Sequence, residues 1–234
     1  MAASRDEQNK NEKLGAGEIL NEFFQKHRKV IVIGFLSLVV VLAALVIGIS
    51  IRDNLQEKAL ARVDEFSRRY DGLKKDSGSE AVDAVLKQSE VAVLLVEIEG
   101  LAKKTSGFAG ARASGLQASI LAAEKDWDNA EIAYLAAAKK AGKSYLAPIN
   151  YFNAAVAAEE AGKIDEAISH LNSAVNHKSD FPAAARAQFS IGRLEETRND
   201  KIAALAAYGA LVAKWPDDPV WASLAQSRMI VLSN

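Results

Sequence analysis

Three histidines, His27, His170 and His177, are the side chains best suited to metal binding or proton transfer at neutral pH. His27 sits inside a run of cations, Lys26-His27-Arg28-Lys29. His170 and His177 are seven residues apart. On one helix that is two turns and ~10 Å of rise, too far to share a metal ion, so both are read as surface residues. Carboxylates cluster at Glu97 and Glu99, at Glu159-Glu160 and at Glu195-Glu196. General acid–base chemistry needs two such groups converging on a substrate, whereas neighbours along a helix diverge; solvated faces explain them. The chain has no cysteine, which removes thiolate nucleophiles, disulfides and cysteine-ligated metals. It also lacks the glycine-rich phosphate loops, the nucleophile elbow and the paired-histidine zinc motif. No enzyme activity, cofactor or metal is expected, and function must reside in a surface.

The totals agree with that direction. Of 234 residues half are hydrophobic, yet the net charge is only −1 and the mean hydropathy is −0.02. Those values suit a soluble domain joined to one very apolar segment. A balanced charge gives no bulk affinity for nucleic acid, and no small-molecule substrate is indicated.

The apolar segment is residues 30–51, VIVIGFLSLVVVLAALVIGISI, 22 residues without a charge. As a helix it would be about 33 Å long, against the ~30 Å of a bilayer's hydrocarbon core. It exceeds the apolar core of a cleaved signal sequence, usually about 7–15 residues, and is read as a permanent single-pass anchor. Within twenty residues on each side lysine and arginine tie, with Lys10, Lys13, Lys26, Arg28 and Lys29 before it and Arg52, Lys58, Arg62, Arg68 and Arg69 after it. The cations packed against its N-terminal end favour an N-terminus inside and the bulk of the chain outside. Residues 1–29 form an N-terminal tail, solvated over residues 1–13. Residues 18–24 are either a short amphipathic helix or an extension of the membrane helix.

Beyond the anchor, Ala59, Val63, Phe66, Tyr70 and Leu73 recur at alternating steps of four and three. This spacing predicts one apolar stripe on a helix ending near Lys75. Two heptads are too few for a coiled coil, so the stripe is expected to pack on a neighbouring helix of the same chain. After Asp76-Ser-Gly-Ser79, with Ser79 an N-cap, a second helix runs to Lys104. Its β-branched middle, residues 91–98, imitates a strand, but Leu94, Ile98 and Leu101 keep helical spacing.

From residue 108 to residue 216 a step of 37 residues relates Ala118, Ala155 and Gly192, and again Ala130, Ala167 and Ala204. The same step relates Tyr134, Leu171 and Tyr208, and also Ala137, Ala174 and Leu211. Each unit reads as a helix, a tight turn and a second helix, with turns at 125–128, 162–165 and 198–201. Two helices of a hairpin approach closely only where small residues face each other, and one hairpin cannot bury its own apolar face, so the units must stack. The segment 219–232 reads as one closing helix.

These positions resemble the tetratricopeptide (TPR) pattern: a small residue, Ala twelve positions on, an aromatic or Leu after four more, and a small residue three later. Tyr151 and Pro216 also fall where that family favours an aromatic and a terminating proline. The 37-residue step departs from the family's period of about 34, which puts the extra residues in the loops at 141–145 and 178–182. The resemblance implies a concave groove lined by the first helix of each unit: Arg112, Gly115 and Ser119; then Ile149, Phe152, Val156 and Glu159; then Arg186, Phe189, Arg193 and Glu196. Such a groove would suit a peptide carrying an acidic and an apolar side chain. The same spacing admits a second reading, in which Phe152 and Phe189 are core and the arginines only keep the surface soluble. The Lys-and-Asn clamp that some TPR proteins use for a terminal carboxylate is absent, since Gly115 and Ser119 occupy its places in the first unit.

The expected fold is therefore all-α: a transmembrane helix at 30–51, juxtamembrane helices at 52–107, three TPR-like hairpins at 108–216 in an α-solenoid, and a capping helix at 217–234. A short inner segment with Phe23-Phe24, one membrane pass and C-terminal repeats also resembles the YfgM-type family, which contains an ancillary subunit of the bacterial Sec translocon. That resemblance implies the bacterial inner membrane, a periplasmic repeat domain and an interaction scaffold handling secreted or envelope proteins. A cytoplasm-facing adaptor of a membrane complex and a non-catalytic subunit of an envelope enzyme are the alternatives.

Overall fold

A computed structural model describes residues 16–75 and 81–234, which contain nine α-helices and no strand. They are α1 (Ala16–Lys75), α2 (Ala81–Lys104), α3 (Gly107–Ala123), α4 (Trp127–Ala141) and α5 (Leu146–Glu160). The remainder are α6 (Ile164–Val175), α7 (Ala184–Thr197), α8 (Lys201–Lys214) and α9 (Trp221–Ser233). The solvated tail over residues 1–13 and the N-cap at Ser79 lie outside the described residues. The chain divides into two compact units, one ending at Asn54 and the other spanning Leu55–Asn234, and α1 supplies residues to both.

In the first unit α1 runs unbroken from Ala16, so residues 18–24 extend the apolar helix and do not form a separate one. It is the one helix among the described residues long and apolar enough to cross a membrane, and its most apolar stretch has nothing packed on it. Val32, Ile33, Phe35 and Leu36 are each more than three-fifths exposed.

The second unit is built from hairpins. Ala59, Val63, Phe66 and Tyr70 are buried. Phe66 and Tyr70 meet Val91, Leu94 and Ile98 of α2 and Ile120 of α3 in one apolar cluster, with Leu73 half-buried beside it. Val63 joins Ala102 and Ala113 in a second cluster. The stripe is thus covered by the chain's own helices. Residues 91–98 are helical, because Val91, Leu94 and Ile98 share the face that packs on α1 and α3.

The hairpins α3–α4, α5–α6 and α7–α8 follow, and each places the in-step residues at its helix crossing. Ala118, Ala130, Ala155, Ala167, Gly192 and Ala204 are all buried. So are their bulky partners Tyr134, Leu171, Tyr208 and Leu211, and the small Ala137 and Ala174. The tight turns repeat as well. Lys125, Gly162 and Asn199, one per unit at the same 37-residue step, have φ of 62°, 77° and 60°. In each, two backbone bonds close the helix end: Asp126 N–H to Leu121 O at 2.9 Å, Lys163 to Ala158 at 2.8 Å and Asp200 to Glu195 at 2.9 Å. A bond spanning three residues accompanies each, as from Lys125 N–H to Ala122 O at 3.0 Å. This left-handed C-terminal motif saturates carbonyls that a helix end leaves unpaired. Asp126 and Asp200 then cap the next helix through Asn129 N–H and Ala203 N–H.

The loops between units are bonded to each other. His177 Nε2 lies 3.0 Å from Gly142 O, Ser179 N–H donates to His177 Nδ1 at 3.1 Å, and Ser179 Oγ donates to Lys143 O at 2.5 Å. Phe181 is buried in the core of the second and third units. After α8, Asp218 Oδ1 accepts from Val220 and Trp221 N–H and starts α9, whose Ala222 and Ala225 bury against Tyr208 and Leu211.

Candidate protein-binding groove

The first helices α3, α5 and α7 carry the residues assigned to the groove, and the two ends of that row differ in chemistry. At the N-terminal end a shallow cavity of about 240 Å³ opens between the Leu55–Lys75 part of α1, α3 and α5. Arg112, Gly115, Ser119 and Ile149 line it, joined by Val63, Ser67, Tyr134, Asn150 and Asn153. Gly115 keeps the floor low: a Cβ there would stand 3.3 Å from Asn150 Oδ1. Arg112 Nη2 reaches Asp64 Oδ1 at 3.2 Å, an exposed pair open to solvent. Ser119 Oγ donates to Leu116 O of its own helix. The Asn150 amide donates to Leu146 O at 2.7 Å. The cavity is therefore lined by amides, hydroxyls, aliphatic groups and Tyr134, with its one cation already paired.

At the C-terminal end the assigned residues bond to one another. Arg193 Nη2 of α7 donates to Glu159 Oε2 of α5 at 2.6 Å, and this bond raises the arginine's already high pKa. The Arg186 guanidinium lies 5.1 Å from the centre of the Phe152 ring, which also meets Phe181 in a tilted contact at 6.0 Å. Phe189 packs on Tyr208 at 5.2 Å and on Trp221 at 5.4 Å. Glu196 accepts from Tyr208 Oη at 2.6 Å, and from Arg228 Nε at 3.0 Å and Nη2. The Arg228 bond holds the Glu196 carboxyl below its ordinary range, against an opposing effect of burial. Burial first, then the Glu196 bond, push the Tyr208 phenol well up. Phe152 and Phe189 are half-buried and flank the core clusters of the second and third units, while Val156 remains 41% exposed.

Two readings from the sequence are corrected here. His170 is not a surface residue: its side chain is 15% exposed and its Nε2 stands 2.9 Å from Oε1 of the buried Glu131. His177 is half-buried and bonded on both ring nitrogens. The Glu195-Glu196 pair is not a solvated face, since Glu195 is buried and Glu196 is tied to Tyr208 and Arg228.

Glu131 anchors a network that motif reading passed over. Lys163 Nζ bridges Glu131 Oε2 at 3.0 Å and Asp128 Oδ1 at 2.5 Å, joining the first two units. The repeat step holds a signal for it. Positions 131, 168 and 205 carry Glu, Ile and Leu, and positions 133, 170 and 207 carry Ala, His and Ala. A polar residue where sister units bury an apolar one marks a compensated polar contact. Among the described residues no group of three or more histidine, aspartate or glutamate side chains converges to hold a metal ion.

No family model matches the chain. A TPR repeat-containing protein of Treponema pallidum (strain Nichols) is 36% identical over 230 residues, spanning 92% of this chain and 93% of that protein. The chain belongs to the TPR repeat-containing proteins. Members of this family are generally non-catalytic scaffolds that mediate protein–protein interaction.

Proposed function

We propose that this TPR protein is a single-pass membrane scaffold that binds an extended segment of another protein in the cavity between α1, α3 and α5. The observation that carries the reading is the asymmetry of the row. Glu159 and Arg193 are consumed by a contact between units, Glu196 by Tyr208 and by Arg228 of α9, and Arg186 lies on Phe152. Asn153, Ser119 and Ile149 line open space. Asparagine amides offer both donor and acceptor to a peptide backbone, and Ile149 and Val63 offer an apolar floor. The acidic-and-apolar peptide suggested by the arginines is accordingly replaced by a segment of low charge.

The layout in this proposal keeps residues 1–29 inside, 30–51 in the bilayer, and 52–107, 108–216 and 217–234 outside, in the periplasm of a bacterial inner membrane. The cations at 26–29 support that orientation. The architecture shared with the YfgM-type family supports work beside the translocon on secreted or envelope proteins. The test uses the full chain in its native membrane with a photo-crosslinking amino acid at Ser119 or Asn153. A distinct protein adduct at both positions, missing from the same probe at the 83%-exposed Ile202, supports the groove. Equal adducts at all three positions overturn it. Because the chain has no cysteine, Ser223→Cys on α9 gives a single thiol. Labelling of intact spheroplasts by a membrane-impermeant maleimide supports the periplasmic side, and labelling only after lysis supports the cytoplasm-facing adaptor.

A further inference from the structure

Arg28 and Lys29 have no acidic residue three or four positions away on either side: their helical neighbours are Phe24, Gln25, Lys26, Ile31, Val32 and Ile33. Lys26, by contrast, has Glu22 four residues before it. Most cations of the second unit that meet a partner meet a carboxylate, as Arg69 meets Glu97 and Arg193 meets Glu159. The pair at the start of the charge-free stretch is therefore uncompensated within its own helix. Arg28 and Lys29, through the aliphatic stems of their side chains, line a shallow, almost wholly apolar concavity of about 380 Å³ together with Val32 and Ile33. Each cation and its aliphatic partner are one turn apart, about 6 Å along the axis. On the same face Phe24, half-exposed, stands one turn before Arg28.

The order along one face is thus aromatic, cation, aliphatic. An amphiphile with an anionic head and a hydrocarbon tail has that order of groups, and aromatic and basic side chains gather at the depth of lipid headgroups. We propose that Arg28 and Lys29, with Val32 and Ile33 one turn further, form a binding site for an anionic phospholipid, its phosphate on the cations and its upper acyl chain on the aliphatic pair. The inference rests on the membrane-span reading. The apolar lining of the concavity distinguishes a lipid from free phosphate, which would leave Val32 and Ile33 uncovered.

The experiment uses the full chain reconstituted in nanodiscs of phosphatidylcholine and phosphatidylglycerol at 4:1, with retained lipids counted by native mass spectrometry. Phosphatidylglycerol is expected to be enriched on the protein over its bulk share. R28Q/K29Q should reduce the enrichment, by up to about fivefold for each cation removed. R28K/K29R should keep it, as should K143Q/K178Q, which removes two loop lysines. Inorganic phosphate at matched ionic strength should not displace the lipid. Wild-type protein without enrichment, an unchanged ratio in R28Q/K29Q, or displacement by phosphate overturns the proposal. Flotation with pure phosphatidylcholine vesicles after alkaline carbonate is measured in parallel. A chain that fails to float removes the membrane reading and this inference together, whereas one that floats without lipid preference removes this inference alone.

Discussion

Replacing Gly192 by alanine sets two effects of opposite sign against each other. Gly192 lies inside α7, where alanine is the better helix former by about 1 kcal/mol. A Cβ added there would stand 2.5, 2.7 and 2.8 Å from Cε1, Cζ and Cδ1 of Tyr208. The ring cannot step aside. Tyr208 is fully buried, its hydroxyl is held by Glu196 at 2.6 Å, and its face lies against Phe189. Overpacking of this kind costs about 1–3 kcal/mol, and three simultaneous clashes put Gly192→Ala near the top of that range. The net expectation is a loss of about 2 kcal/mol.

Tyr208→Leu turns the third crossing into the chemistry of the second, where Ala155 accompanies Leu171. In that background Gly192→Ala should cost nothing or add about 1 kcal/mol, giving a coupling energy of about 2–3 kcal/mol across the cycle. Urea unfolding of the full chain in detergent, followed by tryptophan fluorescence, reads it directly. All three tryptophans, Trp127, Trp215 and Trp221, lie in the second unit, and Trp221 touches Phe189. Gly192→Ala as stable as wild type, or the same penalty with and without Tyr208, would refute the reasoning.

Three further outcomes use the same unfolding assay. Lys125→Gly should stabilise by about 1 kcal/mol, because Lys125 adopts φ 62° where its sister unit has Gly162; Gly162→Ala should cost a similar amount. Burial of Glu131 favours its neutral form, but hydrogen bonds from His170 and Lys163 outweigh that and lower its pKa below 4.5. A lowered folded pKa means stability present above about pH 4.5 and lost as pH falls through the folded value. The wild-type midpoint should therefore fall as the pH drops below about 4.5, and Glu131→Gln should flatten that slope while costing about 1–3 kcal/mol at neutral pH. Finally, Lys140 donates to Ala102 O in the last turn of α2 and to Ser114 Oγ at 3.2 Å. Lys140→Met should cost about 1–2 kcal/mol by removing a cation from a helix C-terminus, and hydrogen exchange should quicken in α2 before α6.

Local and periodic features were legible in the amino-acid order alone. The charge-free stretch at 30–51 needs only length and composition to be recognised. The helical stripe from Ala59 to Leu73 and the 37-residue step need only spacing, because helix geometry converts spacing into a face. Small residues at 118, 155 and 192 announce close crossings for the same reason: no other side chain lets two helices approach. Even the hidden turn register, Lys125, Gly162 and Asn199, obeys that step, although lysine gives no hint of a left-handed conformation until the helix before it must end.

The tertiary structure decided which polar residues are free. Arg193 and Glu159 are 34 positions apart, Glu196 and Arg228 are 32 apart, and no rule of local spacing pairs them. Their meeting depends on the angle at which each hairpin stacks on the next. The same stacking buries Glu131 under His170 and Lys163, and leaves Asn153 and Ser119 beside open space. Helical periodicity assigns a residue to a face of its own helix. Only the placement of the neighbouring helix decides whether that face meets a partner residue or solvent, and so where a ligand has room to bind.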